Sequence, residues 1–374
     1  VIDNLKEIPL ARPDIGPKEI EYVTRVLKTP HLSLGPKLPE FETKIAQYAG
    51  AKYAVAVNSG TSALHLIIKA LGIREGDEVI TTPFSFVASA NCLLFERAKP
   101  VFVDIDPKTL NLDTTSIEGK INSRTRAILA VDVFGHPAEW DELEPMARRH
   151  DLRLIEDSAE AIGSEYRGRK AGTFGDAAVY AFYPNKQMTT GEGGVILTGS
   201  EQIAKLCRSL RNQGRAEGSE WLQHERLGYN YRLSDIHCAL GLAQLERIDE
   251  LLAKRARVAE WYNERLSGVE GIITPYVAPH VKIGWFVYVI RLADEYTRAD
   301  RDRVLEQLKK RKIGCSNYFS PIHLQPFYRE QFGYEPGDFP VTEHVADRTI
   351  ALPFYNDLTQ TEVDHVVSTL CQLL

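Results

Sequence analysis

Along the first half of the chain, apolar residues come in short runs separated by stretches of helical period. Runs at 53–57, 78–80, 101–103, 127–133 and 152–155 predict buried strands. Between them Leu64, Ile67, Ile68 and Leu71 share one helical face, and 86–95 and 140–149 predict two more helices. Leu38, Phe41, Ile45 and Tyr48 mark a helix ahead of the first strand, with a shorter one at 20–27. Two further apolar runs, 177–183 and 195–197, flank a bend rich in Pro, Asn, Thr and Gly. Strands alternating with helices on this rhythm mean a mostly parallel, doubly wound sheet. A helix at 203–213 and an irregular segment at 214–228 follow. A long helical stretch from 234 to about 266 then leads to a region of α+β character, with a strand at 285–292 and helices at 301–310 and 360–373. Residues 1–20 carry three prolines and little periodicity. The expected organisation is therefore an arm over 1–20, a large α/β domain over 21–250 and a smaller α+β domain over 251–374.

Composition narrows the function classes. With 44% hydrophobic and 26% charged residues, a chain of 374 residues can bury a substantial core. A net charge of −6 and the lack of a Lys/Arg block argue against nucleic-acid binding. No apolar run approaches the ~20 residues that span a bilayer, and no charged-then-apolar leader opens the chain, so no membrane association is expected. Cys92, Cys207, Cys238, Cys315 and Cys371 are scattered and odd in number, which predicts buried free thiols and a reducing cytoplasm. The ten histidines show no HExxH or other metal-ligand spacing, so no metal is expected.

The candidate chemistry lies at strand ends, where open α/β sheets bind their ligands. Lys186 occupies the bend between two buried strands; it is either a solvated turn residue or an amine held ready to attack a carbonyl. Ser59-Gly60-Thr61-Ser62 opens a helix, as an ordinary N-cap or as a cradle for a phosphate monoester. Asp157, past a buried strand, needs a cation or several hydrogen bonds, or else caps a helix. Phe86 either covers a flat ring or packs in the core. No GxGxxG follows a strand and no GxxxxGK[ST] occurs, so dinucleotide and nucleoside-triphosphate sites are unsupported. A phosphate cradle, an acid for a ring nitrogen, an aromatic lid and a reactive lysine are together what pyridoxal 5′-phosphate requires.

The chain resembles the DegT-type (StrS-like) sugar aminotransferases over nearly its whole length. The markers are Leu34-Gly-Pro36, Asn58-Ser-Gly-Thr-Ser-Ala-Leu64, Phe86-Val-Ala-Ser-Ala-Asn91, Pro100-Val-Phe-Val-Asp-Ile-Asp106, Glu156-Asp-Ser-Ala-Glu160, Pro184-Asn-Lys186 with Gly191-Glu-Gly-Gly194, Gly228-Tyr-Asn-Tyr-Arg232 and Pro321-Ile-His323. The resemblance implies the fold type I of pyridoxal-phosphate enzymes, with a mostly parallel seven-stranded sheet flanked by helices and a smaller C-terminal domain. It implies a transamination from L-glutamate to a nucleotide-diphosphate-linked keto-6-deoxy sugar. Lys186 would form the Schiff base, Asp157 pair with the pyridine nitrogen, and Phe86 stack on the ring. Gly60, Thr61 and Ser62 would hold the phosphate and Glu160 lie near the ring oxygen. Asn230 would reach the neighbouring subunit's cofactor, making the active sites of a homodimer composite.

Arg211, Arg215, Arg226 and Arg232 are candidates for the sugar nucleotide's diphosphate, with solvated surface charge as the other reading. His323 either contacts the sugar or satisfies a turn. Asn185 and Thr189-Thr-Gly-Glu-Gly193 are similar to 4-aminotransferases of the perosamine type, which favours amination at C4 over C3. Family members that dehydrate sugars carry His in place of Lys186; dehydration, or a cyclitol as amino acceptor, is the alternative outcome. Two departures stand out. Ala181 replaces a Ser whose hydroxyl contacts the phosphate, a loss of about 1 kcal/mol. Asp132 stands where many relatives have His, and is expected to alter contacts around the substrate.

Overall fold

The computed structural model describes residues 7–215, 218 and 223–374. Residues 1–6 of the expected arm, and 216–217 and 219–222 of the expected irregular segment, lie outside the described residues. The first part of the chain runs α1 (Pro17–Leu27), α2 (Lys37–Ala49), β1 (Tyr53–Val57), α3 (Gly60–Ala70), β2 (Glu78–Thr81), α4 (Ala88–Leu94), β3 (Lys99–Phe102), β4 (Thr125–Val131), α5 (Trp140–Arg149) and β5 (Arg153–Asp157). A short hairpin, β6 (Glu165–Tyr166) and β7 (Arg169–Lys170), leads to β8 (Ala177–Ala181) and β9 (Gly194–Thr198).

Seven of these strands form one sheet in the order β1-β9-β8-β5-β4-β2-β3. All its neighbouring pairs are parallel except those of β9, which runs antiparallel to both β1 and β8. The central strands read as unbroken apolar runs because helices cover both faces. Leu64, Ile67 and Ile68 of α3 pack with Val55, Val179 and Ile196 on one side. Phe41, Ile45, Ala56, Tyr180 and Leu242 meet on the other. The carboxyl ends of β1, β2, β4, β5 and β8 therefore open on one edge. Because β9 is reversed, its amino end joins them there.

The remainder comprises α6 (Glu201–Arg211), α7 (Asp235–Leu245), α8 (Ile248–Leu266), β10 (Ile272–Ile273), β11 (Val281–Lys282), β12 (Tyr288–Leu292), α9 (Arg298–Lys310), α10 (Pro326–Phe332), α11 (Pro340–Ala346), β13 (Thr349–Leu352) and α12 (Gln360–Cys371). The antiparallel sheet β10-β12-β13 is backed by α8, α9 and α12 around a second core that includes Tyr262, Tyr288, Ile290, Leu308, Ile350 and Val366. Asp104, just past β3, accepts from the Val341 and Thr342 amides and so caps α11 across 237 and 238 residues of chain.

Three expectations need correction. The single helix over 234–266 is two, divided at Glu246–Arg247. There the Arg247 guanidinium turns back to Asp14, Glu19 and Glu250, and α8 leaves the large core for the small one. The arm ends at Gly16: Pro17 starts α1 and Glu19 accepts from the Gly16 amide at 2.7 Å. Its earlier part joins the small sheet region, with Ile8 and Leu10 bonded to Lys312, Gly314 and Phe354. Four cysteines are buried as expected, whereas Cys371 is exposed on the last helix. Among the described residues no helix is long and apolar enough to cross a membrane, and no cluster of His, Cys, Asp and Glu could hold a metal.

Candidate active site

At the sheet edge where these strand ends converge lies a cavity of about 570 Å³, within the range that holds small ligands. Lys186 enters it from the turn after β8, its backbone fixed by a bond from its own amide to the Tyr183 carbonyl. Its Nζ lies 3.4 Å from Glu160 Oε1 and 3.9 Å from the centre of the Phe286 ring. Asp157, the last residue of β5, lines the same cavity. Its Oδ2 accepts from Ser89 Oγ at 2.7 Å and its Oδ1 from the Ala159 amide at 3.2 Å. Burial pushes the Asp157 carboxyl above its ordinary range, opposed by the Ser89 bond, the Ala159 amide and the Lys186 charge. Burial likewise raises Glu160, against the pull of Lys186 and of the Phe134 amide, which donates to Glu160 Oε2 at 3.0 Å.

The turn at the start of α3 is the N-cap the sequence allowed, and it also borders the cavity. Ser59 caps the helix, accepting from the Ser62 amide at 3.0 Å, while Ser59, Gly60 and Thr61 line the cavity. The first intrahelical bond runs from Ala63 to Ser59, so the amides before it face outward. Two glycines make the turn possible by close approach. A Cβ on Gly194 would sit 2.6 Å from the Ser59 carbonyl, and one on Gly60 2.8 Å from Ala181 Cβ. Phe86 lies on the rim, 60% exposed, which rules out core packing as its role. Tyr183, Asn185, Phe286, Asn317, Tyr318 and Phe319 complete the mouth.

Residues 13–371 match the DegT/DnrJ/EryC1/StrS aminotransferase family. The chain belongs to that family. Among the relatives of this DegT-family enzyme is a GDP-perosamine synthase of Caulobacter vibrioides, 39% identical with all of both chains covered. The solved structure of PseC from Helicobacter pylori, an aminotransferase involved in the biosynthesis of pseudoaminic acid, superposes with a TM-score of 0.93 at 29% identity over 98% of this chain and 99% of that one. The PLP form of Spr1654 from Streptococcus pneumoniae superposes at a TM-score of 0.94, with 27% identity and 98% of each chain covered. The enzyme is thus a pyridoxal-phosphate-dependent aminotransferase of nucleotide sugars.

The residues present fit that cofactor. Among the described residues lining the cavity, Asp157 is a buried carboxylate hydrogen-bonded only by neutral groups, a setting that suits a protonated ring nitrogen. Asn185 Oδ1 is buried beside Lys186 without a hydrogen-bond partner. The α3 N-terminus offers amides and a hydroxyl to a phosphate.

Of the sequence-predicted set, the fold brings Gly60, Thr61, Phe86, Asp157, Glu160 and Lys186 to one cavity. Ser62 stands behind it, its hydroxyl accepting from Ser59. Asn230 is exposed and outside the lining, bridged to Asn212. None of the four arginines lines the cavity. Arg211 is buried and spent on Glu42 and the Ala56 carbonyl, so it is a core ion pair and not a diphosphate ligand. Arg226 bonds Ser209 and Glu225, and Arg232 bonds Asn212; Arg215 lies off the lining too. His323 is fully buried, bonded to Glu343 at 3.0 Å, and lies outside the cavity lining. Asp132 is also corrected. Its side chain points away from the cavity, into the back of the sheet beside Glu156, and touches no substrate space. Ser89 was missed in function though its motif was noted, and Phe286 and Tyr318 had no local signal, since distant chain segments bring them here.

Proposed function

We propose that the enzyme moves an amino group from L-glutamate to a nucleotide-diphosphate-linked 4-keto-6-deoxy sugar, acting as a homodimer with shared active sites. Pyridoxal phosphate, when bound, supplies the electron sink that makes the donor's Cα proton acidic. Lys186 is the residue that holds the cofactor and, once free, carries a proton at its Nζ between donor and cofactor. Its place between Glu160 and the Phe286 ring, in the cavity that Asp157 also lines, is the observation that carries this reading. Asp157, kept in place by Ser89 and Ala159, favours the protonated ring nitrogen. Glu160 supports the ring oxygen side, Phe86 covers the ring, and Gly60 and Thr61 bind the phosphate.

Charge supports the shared site. Among the described lining residues Lys186 is the one cation, against Asp157, Glu160 and Glu192. A cofactor phosphate and a sugar diphosphate bring further negative charge, so cations and donors from a second copy complete the cavity. Asn230 is exposed and away from its own pocket, which supports a role toward the neighbour. Amination at C4 is favoured by the perosamine-type residues Asn185 and 189–193 and by the similarity to a GDP-perosamine synthase. The product suits polysaccharide or glycoside synthesis. The test is a panel of 3-keto and 4-keto sugar nucleotides with L-glutamate, read by mass spectrometry. Turnover of 3-keto substrates alone would overturn the C4 assignment, and a fully active monomer would overturn the shared site.

A further inference from the structure

Arg255 is 2% exposed, on the inner face of α8, and no carboxylate touches it. Burial pushes its guanidinium down to about 10, so it is still a cation at neutral pH. A buried charge without a counter-charge is expensive unless every donor is satisfied. The acceptors here are four neutral oxygens. Nε donates to the Trp285 carbonyl at 2.9 Å, Nη1 to Asn356 Oδ1 at 2.9 Å, and Nη2 to the carbonyls of Asn185 at 3.0 Å and Phe286 at 2.9 Å. Asn356 in turn donates to Asp14 at 3.3 Å, and Asp14 pairs with Lys254 and Arg247.

Two of those acceptors define the lysine. Asn185 is the residue before Lys186, and Phe286 carries the ring on which the Lys186 amine rests. On the other side of the lysine, Gln187 Nε2 donates to the Glu160 carbonyl at 2.6 Å and the Gly284 carbonyl at 2.9 Å. Lys186 is thus bracketed by two clamps, and both fasten its turn to residues 284–286.

We propose that Arg255 is a positioning residue for Lys186: its planar fork locks the backbone that presents the amine to the backbone of the ring that receives it. This rests on reading Lys186 as the cofactor-holding, proton-carrying lysine. Arg is required because its fixed fork reaches four acceptors at once, and an ammonium on a flexible stem cannot. Misplacing a reacting group by about 1 Å costs on the order of 10²-fold in rate.

The test uses the holoenzyme with Arg255→Lys and Asn356→Asp, each checked for folding by thermal unfolding. Borohydride reduction followed by peptide mapping first locates the cofactor in the wild type; a label on another lysine would sink the underlying reading and not the clamp. For the clamp, hydrogen exchange over 183–188 is measured in the apoproteins, and kcat and KM for glutamate in the loaded enzymes. Arg255→Lys is expected to speed exchange in this peptide and lower kcat about 10²-fold with KM held within about threefold. If Arg255→Lys does not fold, Asn356→Asp decides. The variant loses the donor to Asp14 and sets two carboxylates side by side, which displaces the Nη1 acceptor, and kcat falls at least about tenfold. Native exchange with kcat within about threefold in a folded variant, or a loss lodged in KM, overturns the proposal.

Discussion

Asp157 and Asp132 sit at the ends of neighbouring strands, both buried, both within reach of the same sheet edge, and the fold puts them to opposite uses. Asp157 closes β5 on the cavity face, held by Ser89 and Ala159. Asp132 follows β4, and its amide donates to the Asp157 carbonyl at 3.0 Å. Its side chain, however, lies with Glu156 on the back face, where Oδ1 accepts from Ala138 at 2.9 Å and Oδ2 has no hydrogen-bond partner of ordinary geometry. Successive residues on a strand face opposite ways, so Glu156 and Asp157 part company at one peptide bond. Burial pushes Asp132 up to about 7, with the Asp157 charge adding to it, and burial together with Asp132 pushes Glu156 well above the carboxylate range. Both shifts favour a protonated back pair, while the front acid borders the cavity. Acidity, burial and a strand end do not by themselves bring a carboxylate to the cavity; the face it occupies does.

The comparison breaks most sharply on the cavity face. Lys186→Ala should keep the fold and lose turnover by about 10⁴-fold or more, measured as steady-state transamination; retained activity would remove the lysine from the chemistry. Next, Asp157→Asn should cost about 10²–10³-fold in kcat and weaken cofactor retention, seen by dialysis and absorbance. On the back face, Asp132→Asn should leave kcat within about twofold and act on stability instead. The folded protein keeps a proton that the unfolded chain gives up near the ordinary Asp value. Its contribution is whole below that value and lost as pH rises through about 7. The Asn variant, whose amide can donate to Glu156, should therefore gain about 1–2 kcal/mol at pH 8 and nothing at pH 4, by thermal unfolding of the apoprotein. A variant less stable at pH 8 would mean that a proton shared between the two carboxyls, which an amide does not replace, holds the pair. The smallest effect is expected for Ala181→Ser, beside Gly60 at the cradle: about fivefold tighter cofactor binding by titration, from one restored hydroxyl.

Much of this was legible in the residues. The period of the apolar runs marks all seven strands of the large sheet, and helix α5 is predicted over its full observed span, because buried parallel strands and amphipathic helices write their environment into local sequence. Lys186, Asp157 and the Ser59–Thr61 turn were visible for the same reason: each stands where a strand stops. The helices at 326–332 and 340–346 were not, since one is a seven-residue turn after Pro326 and the other depends on the Asp104 cap from far upstream.

By itself, then, the sequence determined the alternation of strands and helices, the lysine turn, the Ser59-capped start of α3 and the acid at the end of β5. Tertiary structure alone decided that Arg211 and His323 serve the interior and that Asp132 faces away from the cavity. It also decided that Phe286 and Arg255 come to lie against the lysine. Burial, charge pairing and the facing of a side chain are set by which distant segments meet, and nothing local in the chain encodes those meetings.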